Sequence, residues 1–192
     1  MSNRTDNFTR ADSSVTMNPP SDGGANWAAP TGGTWGIATN QGRAVSSTSQ
    51  SVIALEASLS NVDVQCTFAT VGSDGGLCAR LADDANYLVL KVSGTALTLF
   101  KKVANSFTQI GDAGAITISN NDVIKLRCDS ANLLNAFQNG VSKFSVTDAA
   151  GSTNTQHGLR DNADTNGRFT VFSITDLGAA GDTSTPILNF MF

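Results

Sequence analysis

Strict alternation of apolar and polar residues over 62–71 constrains the fold of this chain more than any other feature. The segment reads Val-Asp-Val-Gln-Cys-Thr-Phe-Ala-Thr-Val, and its apolar positions on one face are Val62, Val64, Cys66 and Phe68. A two-residue period predicts a β-strand buried on one side only, because successive side chains of a strand point to opposite faces. Such a strand has to pack its apolar face against another layer.

Further strand-like segments follow along the chain, separated by turn-forming residues. Ser93-Gly94-Thr95 joins two of them and is typical of a tight hairpin. Residues 13–33 carry three of the four prolines, which predicts a long ordered loop. No segment keeps a helical period beyond about one turn, so we predict an all-β fold. The predicted strands cover 35–37, 43–46, 52–59, 62–71, 77–81, 87–92, 96–103, 107–111, 122–129, 133–140, 141–146 and 168–176.

The composition indicates one domain and argues against two classes of partner. A chain of 192 residues with 15% charged residues suits a single two-sheet β domain. The net charge of −4, without a basic stripe, argues against nucleic acid as a partner. Lys101-Lys102 is the one basic pair and is assigned to a solvated strand face. No stretch approaches the roughly 18 apolar residues of a membrane span.

The N-terminus and the cysteines bear on where the chain is made. Met1–Thr5 lacks an apolar core, so we expect no secretory signal peptide and a protein made inside a cell. Cys66, Cys78 and Cys128 are odd in number and widely spaced, which fits neither a disulfide framework nor a zinc site. They are interpreted as small buried hydrophobes, with a Cys66–Cys78 bridge across a hairpin as the alternative.

The order of several short motifs resembles a known fold family. The chain opens on Asp-Asn-Phe-Thr-Arg-Ala-Asp at 6–12, and Trp27 and Gly-Thr-Trp-Gly-Ile at 33–37 follow. Later come Gly-Leu-Cys-Ala-Arg-Leu at 76–81, a Tyr-bearing strand at 86–88, Phe-Gln-Asn-Gly at 137–140 and His-Gly-Leu-Arg at 157–160. This succession is similar to the concanavalin A-like, laminin G-like jelly rolls. Each motif is weak alone, and their order carries the resemblance.

The resemblance implies an architecture and a domain division. It implies a two-sheet antiparallel jelly-roll sandwich over residues 1–177, in which the N-terminal strand pairs with the last strand as a clasp. Residues 178–192 are then a C-terminal linker and apolar arm. The fold implies less about function, because it hosts lectins, glucanases and many virion proteins.

The residues that hydrolysis by this fold would need are missing from the sequence. Hydrolases of the family place paired carboxylates at alternate positions of one strand, about 5–5.5 Å apart. The chain has one glutamate, Glu56, without a carboxylate two or four residues away, and one histidine, His157, without a nameable partner. We therefore predict that the protein is not an enzyme, and that His157 is structural or solvent-facing.

Two kinds of binding residue can be proposed from the loops. Asp161, Asn162 and Asp164 are hard-oxygen candidates for calcium, a metal that lectins of this fold often hold in loops. We favour the simpler interpretation that they are turn formers without an ion and that the protein has no cofactor. Phenylalanine, with ten residues, is predicted as core. Trp35 is also assigned to the core, whereas Trp27 in its loop is the better candidate for an exposed contact.

The last six residues suggest a contact with another subunit. Gly178–Pro186 has linker composition, and it precedes the apolar end Ile187, Leu188, Asn189, Phe190, Met191 and Phe192. Apolar side chains of this kind are costly to leave in water. They either fold back on their own sheet edge or dock on a neighbouring subunit, and we favour docking.

Two functions from different classes follow. The first is a bacteriophage virion protein of the capsid-decoration type. It would bind the major capsid protein and neighbouring copies of itself, through Trp27 and the apolar arm, and assemble as a homo-oligomer in the host cytoplasm. The alternative is a carbohydrate-binding, lectin-like module of a phage tail or fibre, whose loops hold a glycan.

Overall fold

The computed structural model describes residues 3–30, 32–47 and 49–178, and within them the chain forms strands, turns and loops without a helix. No helix long and apolar enough to cross a membrane occurs among these residues. Their strands are β1 (Arg4–Asp6), β2 (Thr34–Ala38), β3 (Gln41–Ser46), β4 (Ser51–Glu56), β5 (Val62–Thr70), β6 (Gly75–Asp83), β7 (Asn86–Ser93), β8 (Ala96–Val103), β9 (Ser106–Asp112), β10 (Asp122–Cys128), β11 (Leu133–Gln138), β12 (Val141–Thr147), β13 (Gln156–Asp161) and β14 (Arg168–Asp176).

The strands form two antiparallel sheets packed as a sandwich. The eight-stranded sheet has the order β12-β11-β10-β5-β14-β3-β2, with β1 paired to β14, and the six-stranded sheet has the order β4-β13-β6-β7-β8-β9. Neighbours such as β13 and β6 are far apart in sequence, so long crossovers build the sheets. The predicted all-β, two-sheet jelly-roll sandwich is confirmed.

The core lies between the sheets and follows from the alternation along β5. All four apolar residues at alternate positions from Val62 to Phe68 are at most 1% exposed, and they pack in one cluster with inward side chains of the six-stranded sheet such as Leu77 and Leu90. Burying each large side chain of this kind stabilises the fold by about 1.5–3 kcal/mol. Trp35 lies in this core at 3% exposure, as predicted.

The predicted pairing of the N-terminal strand with the last strand is present, but the strand covers Arg4–Asp6, and residues 7–12 of the opening motif follow it as a loop. β1 pairs antiparallel with β14, with Arg4 opposite Ile174 and Asp6 opposite Phe172. Asp6 is fully buried and forms a bidentate ion pair with Arg10, at 2.7 and 2.8 Å. Its carboxylate also accepts a hydrogen bond of 2.7 Å from the indole Nε1 of Trp27.

The expectation that Trp27 is exposed is wrong. Its side chain is 4% exposed, its ring packs 5.0 Å from that of Phe172, and its backbone N–H donates to Asn18 at 2.7 Å. A buried indole needs a hydrogen-bond acceptor for its N–H, and Asp6 supplies one. The loop that holds Trp27 therefore folds inward to complete the clasp, which a glycine- and proline-rich sequence does not reveal.

Two further expectations are settled by burial. Cys66, Cys78 and Cys128 are all buried free thiols, so the Cys66–Cys78 bridge is not formed. Burial raises the pKa of the Cys78 and Cys128 thiols to about 12, which keeps them protonated and unreactive.

Lys102 does not lie on the solvated strand face that the sequence predicts, because its side chain is only 8% exposed. Its ammonium group is covered by the rings of Tyr87 and Phe107.

Candidate functional site

One face of the six-stranded sheet packs on the core, and the other face, turned away from the core, carries a separate apolar cluster. Along β7, Leu88 and Leu90 point into the core, whereas Tyr87 and Val89 belong to a separate apolar cluster. We call this side of the sheet the outer face. Its apolar floor is formed by Val52, Ala54, Cys78, Leu81, Tyr87 and Val89, with Phe100 packed against them.

Two glycines keep the floor of the outer face flat. Gly158 lies opposite Ala54 on one side and Cys78 on the other, and Gly76 lies opposite Lys91. A Cβ on Gly158 would overlap the carbonyl oxygen of Ile53, and a Cβ on Gly76 would overlap that of Leu90. Both positions therefore require glycine for close backbone approach, and both leave room above the sheet.

A polar cluster borders this floor at one end of β13 and β6. The Asp74 carboxylate is ion-paired with Arg160 and lies 3.5 Å from the Lys91 Nζ. It also accepts a hydrogen bond of 2.7 Å from the Asn162 amide, and Arg160 Nε donates to Gln50 Oε1 at 3.2 Å. Burial raises the pKa of Asp74, but the hydrogen bonds from Arg160 and Asn162, together with the charges of Arg160 and Lys91, outweigh burial and lower the pKa. Asp74 is therefore a fixed anion that orients two cations.

Aromatic rings border the floor on its other side. Phe107 of β9 is 40% exposed, and its ring meets those of Tyr87 and Phe100 edge to face, with centroids 6.2 and 6.4 Å apart. The Lys102 Nζ lies 5.2 Å from the centroid of Tyr87 and 5.5 Å from that of Phe107. The cation–π contacts explain why this lysine is buried rather than solvated. The assignment of phenylalanine to the core is wrong for Phe107.

Two cavities lie along the outer face. The first cavity, of about 150 Å³, lies between the polar cluster and the rings. Its walls are Gln50, Asp74, Val89, Lys91, Phe100, Phe107, Arg160 and Asn162. The second cavity, of about 250 Å³, is lined in part by Tyr87 and Lys102. An apolar surface with a few converging polar groups is the usual form of a small-molecule site.

The three calcium candidates do not converge on one point. Asn162 is on the outer face beside Asp74, whereas Asp161 is buried and accepts the backbone N–H of Asp164 at 3.0 Å. Asp164 in turn accepts the hydroxyl of Ser73 at 3.0 Å. Their oxygens thus serve protein donors, and the described part of the chain holds no group of three or more His, Cys, Asp or Glu arranged for a metal.

The other candidate residues are placed as follows. Ile187, Leu188, Phe190, Met191 and Phe192 lie outside the described residues, as does nearly all of the predicted arm. Trp27 lines a cavity of about 230 Å³ beside Trp35, on the edge of the clasp and away from the outer face. The structure therefore does not bring Trp27 together with the residues of the first cavity.

His157 is a structural residue within the sandwich. It is fully buried; its Nδ1 accepts the backbone N–H of Arg80 at 3.2 Å, and its Nε2 lies 2.9 Å from the Leu59 carbonyl oxygen. This pairing fixes a neutral ring with its proton on Nε2. Burial lowers the pKa of His157 to about 4, whereas burial raises the pKa of Asp161 to about 6.

These two groups give stability opposite pH dependences. His157 titrates near 6.5 when unfolded and near 4 when folded, so its contribution is complete above pH 6.5 and is lost as the pH falls towards 4. Asp161 titrates near 3.8 when unfolded and near 6 when folded, so the folded state binds the proton first. Its contribution is complete below about pH 3.8 and is lost as the pH rises through 6.

We expect the Asp161→Asn variant to be more stable than the wild type by about 1–3 kcal/mol at pH 8, and by much less at pH 4.5. The amide keeps the oxygen that accepts the Asp164 N–H but removes the cost of burying a charge. Urea unfolding at pH 8, 6.5, 5.5 and 4.5 measures the difference. An advantage of equal size at every pH would contradict the assignment.

Solved structures with a similar fold include a carbohydrate-binding module, a carbohydrate recognition domain and an agarase. The carbohydrate-binding module CBM66 from Bacillus subtilis is 18% identical, with a TM-score of 0.59 over 78% of this chain and 92% of that one. The carbohydrate recognition domain of Emp47p is 14% identical, with a TM-score of 0.58 over 91% and 94%. β-Agarase A from Zobellia galactanivorans is 12% identical, with a TM-score of 0.58 over 90% of each chain.

These likenesses establish the fold and no closer relation. At such identities the shared property is the jelly-roll sandwich, which occurs in a carbohydrate-binding module, a carbohydrate recognition domain and an agarase. No protein-family model matches the sequence, and no curated protein matches it.

Sequence reasoning missed most of the residues around the first cavity. None of Asp74, Phe100, Phe107 and Arg160 is among the site residues predicted from the sequence. The sequence does hold some information about this site, because Val89 and Lys91 lie at alternate positions of β7 and therefore on the face opposite to the core residues of that strand. The sequence does not show that this face borders a cavity, because the cavity is formed by strands that are distant in sequence.

Proposed function

We propose that this chain is a carbohydrate-binding module that holds a sugar in the first cavity of its outer face. The observation that carries the proposal is the exposed Phe107 ring facing the Asp74–Arg160–Lys91 cluster across that cavity. The likeness of the fold to a carbohydrate-binding module and a lectin-like domain supports it.

The chemistry of the cavity suits a sugar ring. A pyranose has an apolar face of C–H groups that packs on an aromatic ring, and hydroxyls around its edge that need donors and acceptors. Phe107 and Phe100 supply the apolar surface, and Arg160, Lys91 and Asn162 supply donors. Its volume of about 150 Å³ is below the ~300–1,000 Å³ of drug-sized pockets, so we infer that it takes one sugar unit of a chain.

We also propose that the sugar is bound and not cleaved. Hydrolysis of a glycosidic bond requires one carboxyl that donates a proton and a second carboxylate beside it. Asp74 is the acidic member of the first cavity's described lining, and its ion pairs and lowered pKa keep it ionised. It acts as a support for Arg160 and Lys91, because it has no proton to give near neutral pH.

Capsid decoration stays a prediction that rests on residues 187–192, outside the described part of the chain. The same holds for the major capsid protein and further copies of the chain as partners, and for a place in a virion. The similar structures are carbohydrate-binding and carbohydrate-degrading proteins, so they support the glycan alternative. That alternative is a lectin-like module of a phage tail or fibre, and its attachment to a phage stays a prediction.

We expect the purified chain to bind glycans on an array, and the Phe107→Ala variant to bind the selected glycan about tenfold more weakly or worse. The matched control is Val171→Ala, since Val171 is 43% exposed on β14 of the opposite sheet. Titration calorimetry with the selected glycan measures both variants. Absence of binding to any glycan, or equal binding by Phe107→Ala and the wild type, would overturn the proposal.

A further inference from the structure

The second cavity is lined by cations and by no acidic residue. Its volume is about 250 Å³, and its polar lining consists of Arg80, Asn86, Tyr87, Lys102 and Asn154, completed by Val103 and the small residues at 150–151. Arg80 and Lys102 therefore both contribute to the lining of one cavity in a chain whose net charge is −4. Such a concentration of one sign favours a ligand of the opposite sign.

Neither cation is in direct contact with a carboxylate among the described residues, although Asp83 interacts electrostatically with Lys102 and Asp148 with Arg80. Among the described residues no ion pair includes Lys102 or Arg80. Lys102 donates to the backbone carbonyl of Asp84, and Arg80 Nη2 donates to that of Asp129 at 2.8 Å. Both residues are buried, at 8% and 1% exposure. A buried cation bound to neutral carbonyls alone is only partly compensated for the water it has lost.

Two hydrogen-bond donors on residues that line the second cavity also favour a ligand there. The Tyr87 hydroxyl and the Arg80 Nε are buried and have no hydrogen-bond partner within the described part of the chain. A buried donor without an acceptor costs about 1–3 kcal/mol. Burial raises the pKa of Tyr87 to about 12, so its hydroxyl keeps its proton at neutral pH. The cavity is thus lined by Lys102, by Arg80 and by Tyr87, whose hydroxyl has no acceptor among the described residues.

The two cavities adjoin each other on the outer face. Phe107 lines the first cavity and Tyr87 the second, and their rings touch at a centroid separation of 6.2 Å. Lys102 lies over both rings. A glycan with one sugar unit packed on Phe107 can therefore extend across the rings of Phe107 and Tyr87, so that its next unit reaches the second cavity.

We propose that the second cavity binds an anionic substituent, a carboxylate or a sulfate, so that the ligand of the outer face is an acidic glycan. The inference rests on the proposed carbohydrate function and names the substrate class of that site. Lys102 supplies the charge that favours the anion, and the Tyr87 hydroxyl supplies a hydrogen bond that the protein leaves unused.

The test compares three oligosaccharides of one backbone: neutral, uronate-bearing and sulfated. We expect the wild type to bind one or both acidic forms at least about tenfold more tightly than the neutral form. The tighter of the two acidic forms identifies the group. We expect Lys102→Gln to bring the acidic-to-neutral affinity ratio close to one. The matched control Lys143→Gln, at an exposed lysine of the opposite sheet, keeps the wild-type ratio.

Each outcome decides something different. Equal affinity for the three forms would overturn the acidic-glycan inference and leave the proposed function intact, whereas binding of none would overturn both. An unchanged ratio in Lys102→Gln would also overturn the inference. Thermal unfolding checks that this variant folds. If it does not fold, Tyr87→Phe, which removes one oxygen, takes its place, and a ratio lowered about threefold or more supports the inference, while an unchanged ratio overturns it.

Discussion

The Asp6→Ala variant is expected to lose about 3–5 kcal/mol of unfolding free energy. The substitution leaves the guanidinium of Arg10 unpaired in a partly buried position and removes the acceptor of the Trp27 indole. It also removes the side-chain oxygen that caps the backbone N–H of Phe8 at 2.9 Å. One carboxylate therefore holds the first strand, the loop that follows it and the tryptophan together.

Urea unfolding at pH 7, followed by tryptophan fluorescence, measures this loss. The matched control is Asp12→Ala in the same segment, because Asp12 is exposed and accepts one hydrogen bond, from the Thr39 N–H at 2.8 Å. The control is expected to lose about 1 kcal/mol or less. If both variants lose equal amounts, Asp6 does not have the central role described here.

The Asp74→Ala variant is expected to lose about 3 kcal/mol of stability and to bind the selected glycan at least about tenfold more weakly. Arg160 is buried, and without Asp74 its guanidinium keeps the Gln50 Oε1 at 3.2 Å and the carbonyl of residue 74 at 3.3 Å. Lys91 and Asn162 lose the same partner. The donors that face the first cavity are then no longer fixed.

The chain offers a close control for this experiment. Asp63 also bridges an arginine and a lysine, with Arg127 at 2.8 Å and Lys125 at 3.0 Å, but on the outward side of the eight-stranded sheet. Asp63→Ala therefore removes a similar ionic cluster from the opposite side of the molecule. It is expected to lower stability without changing the affinity for the glycan. Weakened glycan binding in both variants would mean that the effect of Asp74→Ala is a general loss of folding.

The architecture was accessible from the sequence because local pattern and chain order agree. The alternation along 62–71 marks β5, the strand at the centre of the eight-stranded sheet, and all its inward residues lie in the core. The clasp was predicted from the resemblance and is formed by β1 and β14. Both features depend on period and order, which a single sequence displays.

The site was not accessible to the same extent. Gly75 and Gly76 suggest a turn, yet both lie in β6, where the lack of a Cβ lets Gly76 approach the Leu90 backbone. Phenylalanine is typical of a core, but Phe107 is paired with Lys102 and therefore lies on the outer face, and the edge position of β9 leaves it 40% exposed. Trp27 lies in a loop sequence typical of a surface contact, but its indole is buried and donates a hydrogen bond to Asp6, twenty-one residues away. In each case the environment of the residue is set by contacts between strands and loops that the local sequence pattern does not show.

The pairing of β1 with β14 has a consequence for how the module can be attached to anything else. The Asn3 side chain accepts the backbone N–H of Asp176 at 2.8 Å, so the two ends of the described domain leave it side by side. Both leave from the eight-stranded sheet, and the outer face belongs to the other sheet. A tether at either end is therefore attached to the eight-stranded sheet, and it leaves the proposed sugar-binding surface on the other sheet uncovered.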